Sequence, residues 1–300
     1  QPFFLYLAHS MPHVPLYVSP EFEGKSELGL YGDVVQELDW STGQVVEKLR
    51  VLGLLENTLI IFSSDNGPWL AMGDHGGSAG LLRDGKGTTF EGGQRVPTVA
   101  HWPAQIAPGR VDNSLASLLD LMPTFSALAG VPLPDDRVID GEDISAFFTH
   151  QGNARTQQFY YTSATSTDVT AYREGDWKVK LPRKGYPKFL DSILKLELYA
   201  HDLLLFNLQD DPYEQHNLAQ QFPERALQMQ QSIAELEKQI EKEGARNLYM
   251  RSTGADRKGY GTLMVKAGLM VATLIVLLVA VFYGLYRLIK SRLGRFRRDV

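Results

Sequence analysis

Three short stretches of the chain gather side chains that could do chemistry. The first is Ser63-Ser64-Asp65-Asn66-Gly67. A carboxylate beside a carboxamide offers two hard oxygen donors, the kind that Ca²⁺ or Mg²⁺ takes. Taken alone, a turn accounts for these residues at least as well, since Asn-Gly is a favoured turn dipeptide, and two donors do not make a calcium site. The second is Leu82-Arg83-Asp84-Gly85-Lys86-Gly87-Thr88-Thr89-Phe90-Glu91-Gly92-Gly93. Glycines on both sides of Lys86 let the backbone approach a ligand closely, and the ammonium could hold an anion as a point charge. Taken alone, a lysine between glycines reads as a solvated loop residue. The third is His9 and His13 in Ala8-His9-Ser10-Met11-Pro12-His13-Val14-Pro15. Either imidazole could serve as a general acid or hydrogen-bond an anionic ester; as an isolated pair they read as loop histidines.

The elements that must position these groups alternate between strand and helix. Phe3-Phe4-Leu5-Tyr6-Leu7-Ala8 is an apolar run that reads as a buried strand ahead of the histidines. Val34, Leu38, Val45, Leu49 and Leu52 recur at helical spacing, and Gly53 suits the residue just past the helix end. Thr58-Leu59-Ile60-Ile61-Phe62 reads as a strand buried on both faces, typical of a parallel sheet, and leads into Asp65. Val96 to Trp102 is a second such strand, and Leu115 to Leu128 a helix. Succession of this kind predicts an α/β sandwich in which all three features follow strands of one sheet and converge on its edge.

From about Gln158 the texture changes. Short strands are expected at Phe159–Tyr161, Thr170–Arg173, Trp177–Leu181 and near Leu203–Phe206, followed by a helix with Met229, Ile233, Leu236 and Ile240 on one face. That pattern predicts a small antiparallel sheet with a packing helix. Residues 267–286 contain no charge, and about 20 helical residues span roughly 30 Å, the thickness of a bilayer core. Arg287, Lys290, Arg292, Arg295, Arg297 and Arg298 follow. By the positive-inside rule they put the tail in the cytoplasm and the globular part on the extracellular, periplasmic or lumenal side. The predicted organisation is an α/β domain over 1–155, an α+β subdomain over 156–245, a linker over 246–264, a transmembrane helix over 265–287 and a basic tail over 288–300.

A hydrophobic content of 44% with 22% charged residues is that of a globular protein, and a net charge of −5 argues against nucleic acid as a partner. The absence of cysteine removes disulfides, thiolate metal sites and cysteine nucleophiles together. A chain that opens inside an apolar run, without an initiator methionine, reads as a fragment or as a product cut from something longer.

The motifs together are specific. The sequence resembles the sulfatase family, close to the arylsulfatases. The resemblance lies in Phe3-Phe4-Leu5-Tyr6 with His13-Val14-Pro15, in Gly53-Leu54-Leu55-Glu56-Asn57-Thr58 leading to Asp65-Asn66-Gly67, and in Leu81-Leu82-Arg83 with Gly85-Lys86-Gly87-Thr88-Thr89 and Glu91-Gly92-Gly93. It continues through Arg95-Val96-Pro97, Trp102-Pro103, Asp120-Leu121-Met122-Pro123-Thr124 and Asp140-Gly141. In the smaller sheet, Gly175-Asp176-Trp177-Lys178, Leu208-Gln209-Asp210-Asp211-Pro212-Tyr213-Glu214 and Asn217-Leu218 look like the family's C-terminal subdomain. The resemblance implies an alkaline-phosphatase-like mixed sheet flanked by helices, present in part, and the hydrolysis of a sulfate ester. It implies that Asp65 and Asn66 ligate Ca²⁺, in preference to Mg²⁺, that Lys86 neutralises sulfate oxygens, and that His13 lies near the leaving-group oxygen. Trp69 to Ala79, with Asp74 and His75, occupies the variable loop expected to face substrate; His9 matches no assignable family position.

One departure stands out. Such enzymes use a formylglycine made from Cys or Ser in a motif like Cys-x-Pro-x-Arg, and no residue here begins that pattern. The formylglycine is therefore expected upstream, and the chain alone is expected to be inactive. Two other readings stay open: a non-catalytic, membrane-tethered anion-binding module, and a phosphoester hydrolase or transferase of the same superfamily.

Overall fold

A computed structural model describes residues 2–148, 158–162, 168–183 and 201–242. The chain divides into two compact units, Gln1–Glu237 and Lys238–Val300, and every element but the end of the last helix belongs to the first.

Helix α1 (Gly29–Val51) carries the expected apolar spacing, with Val34 and Leu49 buried. It stops as the sequence suggests. Gly53 takes φ +67°, its N–H bonds to the Arg50 carbonyl, and the Leu54 N–H bonds to that of Leu49. This pair of reversed bonds satisfies carbonyls that the helix end would leave open. At the other end the buried Asp33 carboxylate accepts the N–H groups of Gly24 and Ser26 at 2.9 and 2.6 Å, folding the preceding turn onto the helix.

Strands β1 (Ile60–Ser63) and β2 (Thr98–His101) pair antiparallel, with Phe62 opposite Val99. Two expectations are corrected here. The pairing is not parallel, and neither strand is buried on both faces: Phe62 is 42% exposed and Val99 64%. The connection between them explains the direction. It holds a 3-10 turn (Leu70–His75) and the one-turn helix α2 (Glu91–Gln94) rather than a crossover helix, so nothing carries the chain back to a parallel start. The expected strand at Phe3–Ala8 is corrected as well. The segment joins no ladder, and Phe4 and Tyr6 are 73% and 81% exposed. A β-prone run becomes a strand only where another strand takes its N–H and C=O groups, and none of the described strands does. Of the three chemical features, only Asp65-Asn66 therefore follows a strand.

The predicted helix at 115–128 is a 3-10 turn (Leu118–Asp120) running into α3 (Leu121–Ala129). Ser117 caps it, accepting the Leu119 N–H, and Asp120 reaches back to the Ser117 N–H at 2.8 Å. Such a box stabilises a helix start by about 1 kcal/mol. Asp120 also accepts the Glu142 N–H, Thr124 accepts that of Ile144, and a Cβ on Gly141 would lie 1.9 Å from the Leu119 carbonyl oxygen. Those contacts give Asp120, Thr124 and Gly141 a structural reason. They pin the segment that leads into α4 (Ser145–Phe148).

The C-terminal sheet matches its prediction: β3 (Gln158–Thr162), β4 (Val169–Glu174), β5 (Trp177–Lys180) and β6 (Leu204–Asn207), all antiparallel in that order. Helix α5 (Pro223–Lys242) follows, with Ala226, Met229 and Ile233 buried; burial stabilises the two larger side chains by about 1.5–3 kcal/mol each. Among the described residues no helix is long and apolar enough to cross a membrane. The linker, the transmembrane helix expected at 265–287 and the basic tail lie outside the described residues.

Candidate functional site

Strand β1 ends at Ser63, and the chain turns through Asp65-Asn66-Gly67 directly against the loop that carries Lys86. The contact is backbone to backbone: Gly67 N–H bonds to the Gly93 carbonyl at 3.0 Å, and Lys86 N–H to that of Pro68 at 2.8 Å. Only glycine allows this approach. A Cβ on Gly67 would lie 1.8 Å from the Gly92 oxygen, and one on Gly92 would lie 2.2 Å from the Asp84 oxygen. Gly67 and Glu91-Gly92-Gly93 are thus two halves of one interlock, which is why both motifs need glycine.

Side chains converge next to that interlock. Lys86 Nζ lies 5.5 Å from the centre of the half-buried Trp69 ring, and the His13 ring lies 5.9 Å from the same ring. His13 Nδ1 is 2.8 Å from the Val14 carbonyl oxygen. A carbonyl only accepts, so Nδ1 carries a hydrogen, and Nε2 is the nitrogen left to meet a ligand. The structure therefore brings His13 and Lys86 to one aromatic side chain, three residues beyond Asn66.

Asp65 is exposed and Asn66 half-buried. Their oxygens suit a hard cation in kind, but they are two donors where Ca²⁺ takes about six to eight. Asp74 and His75 are exposed on the 3-10 turn between Leu70 and His75. They do not complete a shell: no group of three His, Cys, Asp or Glu side chains able to hold a metal occurs among the described residues. His9 is exposed on the arm that precedes His13.

Behind the Lys86 loop stands a feature to which the sequence reading gave no role. Strand β5 sends Lys178 and Lys180, two residues apart and so on one face, into the loop. Lys178 Nζ lies 2.8 Å from Glu91 Oε1 and 2.9 Å from Glu214 Oε1, with all three side chains buried. The second contact is an ion pair without hydrogen-bond alignment. Glu214 Oε2 accepts the Glu91 N–H at 2.6 Å, and the Glu214 carbonyl accepts from Arg83 Nη1 at 2.6 Å. Lys180 donates to the Thr89 hydroxyl, and its ammonium lies 3.9 Å from the Phe90 ring centre. Phe90 in turn packs with Phe206 and Leu208.

Burial sets the protonation of this cluster, and neighbours modify it. Burial alone would lower the Lys178 pKa, but Glu214 and Glu91 more than offset it, so the ammonium is held charged. Burial raises the Glu91 carboxyl, and Lys178, with Arg173 and Arg95 behind it, pulls it below the ordinary range. One cation cannot serve two carboxylates equally, and Glu214 stays above its ordinary value, chiefly through burial. Lys180 is lowered to about 7, by burial first and by Lys178 second. In the sequence, Trp177-Lys178-Val179-Lys180 alternates like a half-buried strand with lysines facing water. The only hint of the opposite was that Lys178, Glu91 and Glu214 all fall within the motifs of the resemblance.

A profile described as "Sulfatase" matches residues 1–131, and one described as "N-sulphoglucosamine sulphohydrolase, C-terminal" matches residues 84–245. Arylsulfatase A of Bos taurus is 41% identical over 246 residues, covering 79% of this chain and 48% of the relative. N-acetylgalactosamine-6-sulfatase of Mus musculus is 44% identical over 181 residues, covering 60% of this chain and 34% of the relative. The chain thus spans about half the length, or less, of these curated relatives. Among solved structures, PsFucS1 sulfatase from Pseudoalteromonas sp. superposes with a TM-score of 0.67 at 34% identity, covering 77% of this chain and 47% of that one. A Bacteroides thetaiotaomicron protein studied in the metabolism of multiple glycosaminoglycans superposes with a TM-score of 0.71 at 31% identity, covering 79% and 51%.

Proposed function

The chain belongs to the sulfatase family, and on that premise we propose that it forms the anion-holding side of a sulfuric ester hydrolase, which splits a sulfate ester into alcohol and sulfate. The observation that carries this reading is the convergence of Lys86 and His13 on Trp69, beside the Asp65-Asn66 turn. A sulfate ester spreads negative charge over its oxygens. A fixed ammonium stabilises that charge most where it grows in the transition state. Lys86 takes this part, and His13, through Nε2, holds or donates a proton at the leaving-group oxygen. Asp65 and Asn66 would contribute two oxygens to a calcium ion, which would supply further positive charge at the sulfate group. The Asp74–His75 turn faces the alcohol portion of the substrate.

The 300 residues contain neither Cys nor a Ser-x-Pro-x-Arg segment, so turnover is assigned to a gene product that carries such a segment, and these residues alone are expected to be inert. In the complete gene product, calcium-dependent hydrolysis of 4-nitrophenyl sulfate should fall at least about 100-fold in Lys86→Ala, a loss of the size seen when a preorganised charge-stabilising group is removed. Asp65→Ala should lose the calcium dependence and most of the rate. Full activity in both variants overturns the site. Sulfate binding without turnover in the complete product would instead identify a non-catalytic anion-binding module.

Residues 265–287 are further proposed to cross a bilayer, with 288–300 in the cytoplasm and the sulfatase part on the opposite side. The support is the uncharged stretch 267–286 and the basic run that follows it. Deleting 267–300 should move the protein from the membrane pellet to the supernatant. A truncated protein that still sediments with membranes contradicts the anchor.

A further inference from the structure

The Lys86 loop has almost no secondary structure of its own. Gly85 and Gly87 flank the lysine, and Gly87 sits at φ +93°. A long, flexible side chain on such a backbone could hold an anion only loosely unless something outside the loop fixed its path. Bonds from its own side tie it through Lys86 N–H to Pro68, Gly92 N–H to the Arg83 carbonyl at 2.8 Å, the Thr88 hydroxyl to the Gly85 carbonyl and the Gln94 amide to the Thr88 carbonyl. A second set of bonds reaches the loop from the C-terminal sheet and the turn after it: Lys178 on Glu91, Lys180 on Thr89, and Glu214 on both Glu91 and Arg83.

Two observations separate this grip from ordinary packing. The first is its composition. Burying an ammonium between two carboxylates costs more desolvation than burying apolar side chains of similar size, so stability alone would favour a hydrophobic contact. What the charged cluster gives in return is direction, because each bond fixes one atom of the loop. The second is backbone strain. The non-glycine residues with left-handed φ among the described residues are Asp84 (φ 62°) and Glu214 (φ 54°). One precedes Gly85-Lys86, the other carries the buried carboxylate, and Arg83 joins the two. Non-glycine residues persist in that region only where the surroundings over-determine them, and they cluster at functional sites.

We infer that Glu214 and Lys178, acting through Glu91 and Arg83, are positioning residues that set the placement of Lys86 for anion binding, so that the C-terminal sheet is a working part of the sulfate site. This rests on the reading of Lys86 as the sulfate-holding lysine.

The test uses the full chain and inorganic sulfate as the probe. Sulfate affinity is measured by calorimetry, and amide hydrogen exchange is followed by mass spectrometry, under conditions where circular dichroism shows each variant folded. Glu214→Gln keeps an acceptor for the Glu91 N–H and removes the carboxylate charge that faces Lys178. It should weaken sulfate binding by about tenfold and speed exchange over residues 83–94, while β4, β5 and α5 exchange as in the wild type. Arg83→Lys, which keeps the charge and loses the bond to the Glu214 carbonyl, should shift both readouts the same way by a smaller factor; it serves if Glu214→Gln does not fold. Unchanged sulfate affinity in a folded variant overturns the inference, as does exchange that rises equally throughout, the mark of a merely structural role. Lys86→Ala separates the two layers. It should abolish sulfate binding and leave exchange in 83–94 at the wild-type rate. Wild-type affinity in Lys86→Ala would overturn the sulfate reading, and with it the role given to Glu214, even if exchange in Glu214→Gln still loosened locally.

Discussion

The loop from Arg83 to Gln94 and the arm from Pro2 to Tyr17 each carry a candidate site residue, Lys86 in one and His13 in the other, but they are held in opposite ways. The arm is rich in Phe, Leu and Tyr, yet Phe3 to Leu7 face solvent, its backbone joins no ladder, and burial is reached only at Leu16. The loop is made of charged residues, threonines and glycines, yet Thr88 to Gly93 are buried without exception. Partners decide the difference. Glu91, Thr89 and Arg83 of the loop meet counter-groups from β5 or from Glu214, whereas the arm meets the rest of the chain through rings, Phe4 on Phe125 at 5.8 Å and His13 on Trp69. Hydrophobicity makes burial favourable, but it does not provide the surface against which to bury.

The sharpest way to break this comparison is to remove the cation at the centre of the loop's grip. Lys178→Met leaves Glu91 and Glu214 buried without it, and breaking a buried pair from one side typically costs roughly 3–5 kcal/mol. Urea unfolding should show a loss of that size; a loss within about 0.5 kcal/mol would mean that the charges are solvated and the loop is held by shape alone.

The next effect is a dependence on pH. Lys180 sits at about 7 in the folded chain against 10.5 for an unperturbed lysine. Between those values the unfolded chain binds the proton that the folded chain has released, so stability gains from rising pH over that window. Below about 7 the folded state must carry the buried charge. Lys180→Met removes this term. Its stability relative to the wild type should therefore be greatest in mild acid and decline as pH rises toward 10.5. A difference between the two urea midpoints that stays constant with pH contradicts the burial of a titrating ammonium.

The smallest effect is expected in the arm. Tyr6 is 81% exposed, and Tyr6→Ser should change stability by no more than about 0.5 kcal/mol, as surface substitutions do. A loss above about 2 kcal/mol in the thermal unfolding of the isolated chain would show that the arm is buried after all.

Much of the fold was legible because its signals are local. The period of α1, its stop at Gly53, the four short strands and the apolar face of α5 all follow from spacing and turn residues within a few positions. Strand direction was not legible. Ile60-Ile61-Phe62 reads as doubly buried, and only the lack of a crossover helix before Thr98 reveals an antiparallel partner. The site divides along the same line. Asp65, Lys86 and His13 stand out by their neighbours in sequence, whereas Trp69 becomes relevant only when the fold sets two of those groups against its ring. Glu91, Lys178 and Glu214 were visible as motif residues, but nothing local says that lysines on a short strand turn inward to meet carboxylates 87 and 36 positions away.

The central claim is that Lys86, beside Trp69, holds a sulfate group, and the Trp69 ring reports on it directly. Sulfate held by the Lys86 ammonium changes the electrostatic surroundings of the indole 5.5 Å from it. Titrating the chain with sodium sulfate at constant ionic strength should therefore give a saturable change in tryptophan fluorescence, absent in Lys86→Ala and in a Trp69→Phe control. The same saturable change in Lys86→Ala as in the wild type would contradict the account.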